Sequence, residues 1–250
     1  MTGILYLMPT LLSPPDASSD EQLALSIPSE VQQLTASLDY FIAENAKTAR
    51  AYLKVIARKN PLATALQNIL IHELNINSPQ ARLPELLAPL LAGRNAGLIS
   101  EAGVPAVADP GADLVRLAHQ HDIAVRPMVG PSSLLLSVMA SGLSGQSFAF
   151  NGYLPQDALQ RARRIKILEE RSRQERQTQL FIETPYRNLV LLDALVSTCQ
   201  PSTLLCAAID LTTPTEHICT RSIAQWKHLM QQSRLPNLQK KPAVFLLLAQ

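Results

Sequence analysis

The apolar run Leu98-Ile99 breaks into a turn that holds Ser100, Glu101, Gly103, Pro105 and Asp109 within a short stretch. A turn rich in Gly and Pro at the carboxyl end of a strand is where parallel α/β sheets meet their ligands. A residue without Cβ there lets backbone N–H and C=O groups approach a bound molecule. The two carboxylates and the free carbonyls of such a turn suit a cationic ligand. The turn feeds a helical pattern from Gly111, with Pro110 where a helix tolerates a missing N–H. Asp109 before Pro110 reads as a turn or helix-entry device that supports the site.

Three further groups could carry chemistry. Gly130, Pro131, Ser132 and Ser133 stand at a helix start, where backbone N–H groups receive an anionic group such as a carboxylate. Glu183 ends the apolar run Leu180-Phe181-Ile182, again the ligand side of a sheet, so it is the leading proton acceptor. Its other reading is an ion pair with Arg187, whose guanidinium equally fits a substrate phosphate or carboxylate. Arg163, Arg164 and Arg171 lie on a charged helical stretch, Asp157 to Arg176, which also carries acids. That stretch is either a solvated face or a surface for RNA or another acidic substrate. His217 and His228 lack partners at metal-ligand spacing, so no metal is expected.

Apolar runs alternate with helical patterns in a way that predicts an α/β fold. Strands are expected at Ile4 to Met8, Tyr40 to Ala43, Ile69 to His72, Gly97 to Ser100 and Ala124 to Met128. Helices are expected at Thr48 to Ala57, Leu83 to Leu91, Ala112 to His121 and Ser132 to Ala140. This strand-helix alternation predicts a parallel sheet. After the small, polar Ser144-Gly145-Gln146-Ser147 the pattern restarts, so domains of 1–145 and 146–250 are expected. The second carries strands at Ser147 to Phe150, Gln179 to Ile182, Leu204 to Leu211 and Val244 to Leu248, and further helices at Tyr186 to Ser197 and Ser222 to Gln231.

The 250 residues are 47% hydrophobic and 17% charged, a globular balance with no apolar stretch long enough to cross a bilayer. The short opening apolar run follows no basic residue, so a cytoplasmic location is expected. Three cysteines without Cys-x-x-Cys spacing argue against a disulfide framework or a zinc site. A net charge of +2 does not by itself announce a nucleic-acid protein. No Gly-x-Gly-x-x-Gly follows the first strand and no Gly-x-x-x-x-Gly-Lys-Ser/Thr loop exists, which sets aside dinucleotide and nucleotide-hydrolysing readings.

The turn at 98–111, Val129-Gly130-Pro131-Ser132-Ser133, Ser141-Gly142-Leu143 and Phe150-Asn151-Gly152-Tyr153-Leu154-Pro155 occur in an order that resembles the tetrapyrrole (corrin/porphyrin) methylase superfamily. The nearest branch is the 16S ribosomal RNA cytidine 2′-O-methyltransferases. The resemblance continues through Phe181-Ile182-Glu183-Thr184-Pro185-Tyr186-Arg187 and Leu211-Thr212-Thr213-Pro214-Thr215-Glu216 to the last apolar strand. It implies two α/β domains, the first with a parallel and the second with a mixed sheet, and S-adenosylmethionine bound in a cleft between them, usually in a homodimer. It also implies cofactor contacts at Pro9, Ser100, Glu101, Gly103 and Pro105. Methyl transfer to RNA, at a ribose 2′-hydroxyl, is the expected activity. Methylation of a tetrapyrrole or other small polyanion, and binding without catalysis, are the alternatives.

Two segments depart from the branch. Met8-Pro9-Thr10-Leu11-Leu12 keeps proline but not glycine where Thr-Pro-x-Gly-Asn is usual, and Glu44-Asn45-Ala46-Lys47 replaces Glu-Asp-Thr-Arg. Lysine does not reproduce a bidentate arginine contact.

Overall fold

The computed structural model describes residues 2–16 and 18–250, which divide into two compact units, one ending at Ser132 and the other beginning at Ser133. In the first unit, β1 (Ile4–Met8), β2 (Tyr40–Ala43), β3 (Leu70–Glu73), β4 (Ala96–Ile99) and β5 (Ala124–Pro127) form a parallel sheet in the order β3-β2-β4-β1-β5. Every residue of β2 and β4 is buried, as expected for strands covered on both faces.

Alternate residues of each strand serve opposite cores. Tyr6, Met8, Phe41, Ala43 and Ile99 pack with α1 (Ser19–Ser26), α2 (Ser29–Ser37) and α3 (Ala46–Ala57). Leu5, Tyr40, Ile42, Ala96 and Leu98 pack with α4 (Leu83–Leu91) and α5 (Gly111–Gln120). The chain leaves β1 toward β2 on one side and leaves β4 toward β5 on the other. Because β1 and β4 are neighbours whose connections run over opposite faces of the sheet, the carboxyl edge between them is its topological switch point.

The second unit contains α6 (Ser133–Ser141), β6 (Phe148–Tyr153), α7 (Ala158–Glu175), β7 (Thr178–Ile182), α8 (Asn188–Thr198), β8 (Leu204–Ile209), β9 (His217–Ser222), α9 (Ile223–Gln231) and β10 (Ala243–Leu248). Its sheet is mixed, in the order β6-β7-β10-β8-β9, with only β6 and β7 parallel. Helices α7, α8 and α9 cover one face through Ile165, Leu168, Leu192, Leu195 and Trp226. The fully buried Trp226 satisfies its indole by donating Nε1–H to the Leu205 carbonyl at 2.8 Å. Helix α6 covers the other face, with Val138 against Leu180, Cys206, Val244 and Leu246.

This packing moves the expected domain boundary. The polar stretch 144–147 lies inside the second unit, because α6 buries its apolar side on β8, β9 and β10. Helices α1 and α2 and strand β9 are additions to the expected elements. Residues 19–37 are polar and interrupted by Pro28, and β9 is an edge strand whose side chains are half-buried or exposed. Cys199 and Cys206 are buried, Cys219 is half-buried, and all three are free thiols.

Candidate functional site

At the switch point the loops after β1, β4 and β5 are tied together. Thr10 N donates to Gly103 O at 2.9 Å, and Thr10 Oγ1 donates to Ser100 O at 3.5 Å. Tyr52 on α3 holds the first loop from below, its hydroxyl donating to Pro9 O at 3.0 Å. Gly103 takes φ +71°, and a Cβ there would lie 2.9 Å from Leu12 Cδ2 and 3.1 Å from Pro131 O. Its missing side chain therefore makes room for the neighbouring loops. Pro9, Ser100, Gly103 and Pro131, expected to contact one ligand, are brought together here, with Pro105 buried in the same turn and Gly130 against Pro9. Ser132 and Ser133 stand half-buried at the start of α6, the helix start that their position predicts.

Asp109 is the clamp of the long turn. Its two carboxylate oxygens accept from Ala106 N at 3.0 and 2.9 Å, and Oδ1 also accepts from Gly111 N at 2.8 Å. Ala106 sits at φ +65°, a backbone state that an L-residue keeps only when its surroundings enforce it. Burial raises the Asp109 pKa, and the bonds from Gly111 and Ala106 oppose that rise.

Thr10 and Glu44 are additions to the expected site residues. Glu44 follows β2, donates its N–H to Ile99 O at 3.1 Å, and accepts from Glu101 N at 3.2 Å through Oε2. Burial pushes its pKa up; the bond from Glu101 N opposes this, and the charges of Glu101 and Asp109 add to the rise. Among the described residues no lysine or arginine forms an ion pair with Glu44, Glu101 or Asp109. Three carboxylates thus gather at the switch point with no ion-pair partner among the described residues. The next residue, Asn45, caps α3 by accepting from Lys47 N at 2.9 Å and Thr48 N at 3.4 Å, so the helix start is kept despite the departure in motif. Among the described residues no group of three or more His, Cys, Asp or Glu is arranged to hold a metal ion.

In the second unit Glu183 is buried and engaged at both oxygens. Oε1 accepts from Thr184 N at 2.8 Å, and Oε2 lies 3.3 Å from Arg187 Nη2. The Leu211–Glu216 motif is a loop held by Thr215 Oγ1 donating to Asp210 Oδ2 at 2.7 Å and by the Asp210–Lys241 ion pair. Along α7, Arg164 donates to Asn151 Oδ1 at 3.2 Å and Arg171 pairs with Glu175 at 3.1 Å, whereas Arg163 is exposed and has no ion pair among the described residues. The arginines are thus not a uniform basic face.

No family model matches the chain. It is similar to "Ribosomal RNA small subunit methyltransferase I" of Streptococcus pyogenes serotype M6, 32% identical over 186 residues, which are 74% of this chain and 57% of that protein. The protein of the same name from Escherichia coli O157:H7 is 32% identical over 60% of this chain and 51% of its own. The matches thus span little more than half the length of these relatives. Among solved structures, the methyltransferase CobJ has a TM-score of 0.57 at 19% identity, covering 99% of this chain and 95% of that one. The cobalt precorrin-4 methyltransferase CbiF has 0.56 at 12%, covering 98% and 94%. A uroporphyrin-III C-methyl transferase from Thermus thermophilus, complexed with S-adenosyl homocysteine, has 0.52 at 17%, covering 98% and 97%. The chain thus has the fold of these solved methyltransferases, a parallel five-stranded sheet followed by a mixed one, and is similar in sequence to ribosomal RNA small subunit methyltransferases I over part of their length.

Proposed function

We propose that this chain is an S-adenosylmethionine-dependent methyltransferase acting on RNA, with a ribose 2′-hydroxyl of ribosomal RNA as acceptor. The observation that carries the reading is the set of carboxylates, Glu44, Glu101 and Asp109, at the switch point of the first sheet, none of which has an ion-pair partner among the described residues. A sulfonium ligand is cationic, and its charge offsets theirs. The names of the sequence relatives supply the RNA, and the Thermus thermophilus structure supplies the precedent for a bound product of the donor.

The donor, when bound, supplies an activated methyl group; the protein's own residues hold, orient and move a proton. Pro9, Ser100, Glu101, Gly103, Pro105 and Asp109 form or support the donor site, and Gly130, Pro131, Ser132 and Ser133 receive its carboxylate. In this reading both units contribute residues to binding donor and acceptor, as domains 1–145 and 146–250 were expected to do, with the boundary now at Ser132. Glu183 takes the proton from the acceptor hydroxyl, Arg187 holds a substrate phosphate, and Arg163, Arg164 and Arg171 extend the RNA contact. The working form is a cytoplasmic homodimer that takes part in ribosomal RNA processing. Among the described residues no helix is long and apolar enough to cross a membrane.

The second reading, methylation of a tetrapyrrole, is favoured by the names of the structural neighbours. One experiment separates the two. Labelled S-adenosylmethionine is incubated with the protein and either small ribosomal subunits lacking the modification or a porphyrin precursor. Label in the RNA supports the proposal, and label in the porphyrin alone reverses it.

A further inference from the structure

The chain has five tyrosines, and they divide by unit. Tyr6, Tyr40 and Tyr52 of the first unit are buried, with the Tyr40 and Tyr52 hydroxyls bonded to backbone carbonyls. Tyr153 and Tyr186 of the second unit are 61% and 78% exposed. Both stand at one edge of the second sheet. Tyr153 ends β6 and pairs in register with Ile182, the last residue of the parallel strand β7, and Tyr186 lies on the turn that follows β7.

Each ring is mounted on a braced backbone. The register shifts between Phe150 and Tyr153, and Gly152 takes φ +64°. Asn151 fixes this bulge, donating to Gln179 Oε1 at 3.0 Å and accepting from Arg164 at 3.2 Å. Just beyond, Arg161 donates to Gln156 O at 2.8 Å and Pro155 O at 3.3 Å. Arg161 is buried, its Nε has no partner, and it forms no ion pair among the described residues, a costly way to fix a loop. Tyr186 follows Pro185 at the tip of a turn closed by Arg187 N donating to Thr184 O at 2.9 Å. Glu183 holds that turn through Thr184 N and Arg187, and Lys240 N donates to Pro185 O at 3.2 Å.

Rings this exposed add little to folding themselves, and the bracing that seats the neighbouring Leu154 in the core also fixes where they stand. Beside them Arg187 is partly exposed, and Lys240 is exposed with no ion pair among the described residues. Aromatic faces next to cations match single-stranded nucleic acid, whose bases stack while its phosphates meet the positive charge. We propose that Tyr153 and Tyr186 form a platform on which unstacked bases of a single-stranded RNA segment stack, with Arg187 and Lys240 holding the adjoining phosphates. This rests on the RNA reading above and deepens it: the substrate presents splayed bases at this edge, not a continuous duplex.

The test uses the full chain, a labelled single-stranded RNA oligonucleotide of mixed sequence and an abasic oligonucleotide of the same length, read by fluorescence anisotropy over a salt series. Tyr153→Ala and Tyr186→Ala should each weaken binding of the base-bearing RNA about tenfold, at the lower end of what one base stack contributes. Tyr186→Phe should stay within about twofold, since stacking needs the ring and not the hydroxyl. Abasic affinity and the salt slope should not change in any tyrosine variant, because no phosphate contact is removed. Alanine variants that bind base-bearing RNA like the wild type overturn the platform, while methyl transfer to RNA by the same samples keeps the function reading. A wild type that neither binds nor methylates RNA overturns both. A fall in molar mass by light scattering in either alanine variant, with RNA affinity unchanged, assigns the face to a second protein copy and overturns the platform.

Discussion

Gly130 lies so close to Pro9 that a Cβ on it would come within 2.2 Å of the Pro9 Cβ and 2.4 Å of its Cγ. The obstacle is a ring fused to the backbone, with no rotamer to retreat into, so a side chain at 130 must push the loops after β1 and β5 apart. Gly130→Ala should cost about 1–3 kcal/mol, the range for overpacking a close contact. Affinity for S-adenosylmethionine should fall with it. Urea unfolding and titration calorimetry read the two effects, and unchanged values in both would show that the loops yield freely.

Asp109→Ala removes the acceptor for two backbone N–H groups and leaves Ala106 at positive φ without its restraint. The expected loss of stability is about 1–3 kcal/mol. Hydrogen exchange is the informative measurement: protection should drop first at Ala106 and Gly111. A uniform drop over the whole first sheet would instead make Asp109 a part of the global fold.

Glu44 gives a prediction with a sign. Its folded pKa is raised above the ordinary value of 4.5, by burial first, so ionisation opposes folding. A raised group contributes stability that is present below the unfolded pKa and lost as pH rises through the folded value. Glu44→Gln should therefore raise the thermal midpoint at neutral pH, with the gain vanishing as pH falls below about 4.5. The same change should weaken S-adenosylmethionine about tenfold, the worth of one charge-assisted contact. Unaltered affinity would remove the carboxylates from the donor site.

Glu183→Gln keeps the size of a side chain that touches Thr184 N and Arg187. If Glu183 accepts the hydroxyl proton, single-turnover methylation should slow about a hundredfold or more at nearly constant donor affinity. A wild-type rate would restrict Glu183 to holding Arg187 and its turn.

The α7 arginines should not act as three equal phosphate contacts. Arg171 is paired with Glu175 and Arg164 with Asn151, which leaves Arg163 the most available. Replacing all three by Gln should lower the salt slope of RNA binding by about 1, not by three times that. A loss near three would mean that the local partners are released on binding.

The strands were legible in the sequence because buried parallel strands read as unbroken apolar runs, as Tyr40-Phe41-Ile42-Ala43 does. Helices α1 and α2 were not, since only residues such as Leu23 and Val31 reach the core from otherwise polar stretches. The turn at Ser100–Gly111 was recognisable from its Gly, Pro and carboxylates. The reason for Gly103 was not: its space is taken by Leu12 and Pro131, residues far away in sequence. Glu44 stood in a motif read for what it lacked, and only the register of β2 beside β4 puts it against Glu101. The pairing of Glu183 with Arg187 was open because a four-residue spacing permits a contact without requiring it.

The bond between Thr10 and Ser100 joins positions ninety residues apart, across strands that are neighbours only once β4 has inserted beside β1. Such a site has no local precursor, and its closure waits on a non-local pairing, the slow class of folding event. Under the proposed function, donor affinity is then an assay of completed folding: a chain stalled before that insertion would hold helical structure yet be blind to the methyl donor. Refolding followed by donor binding should lag refolding followed by circular dichroism.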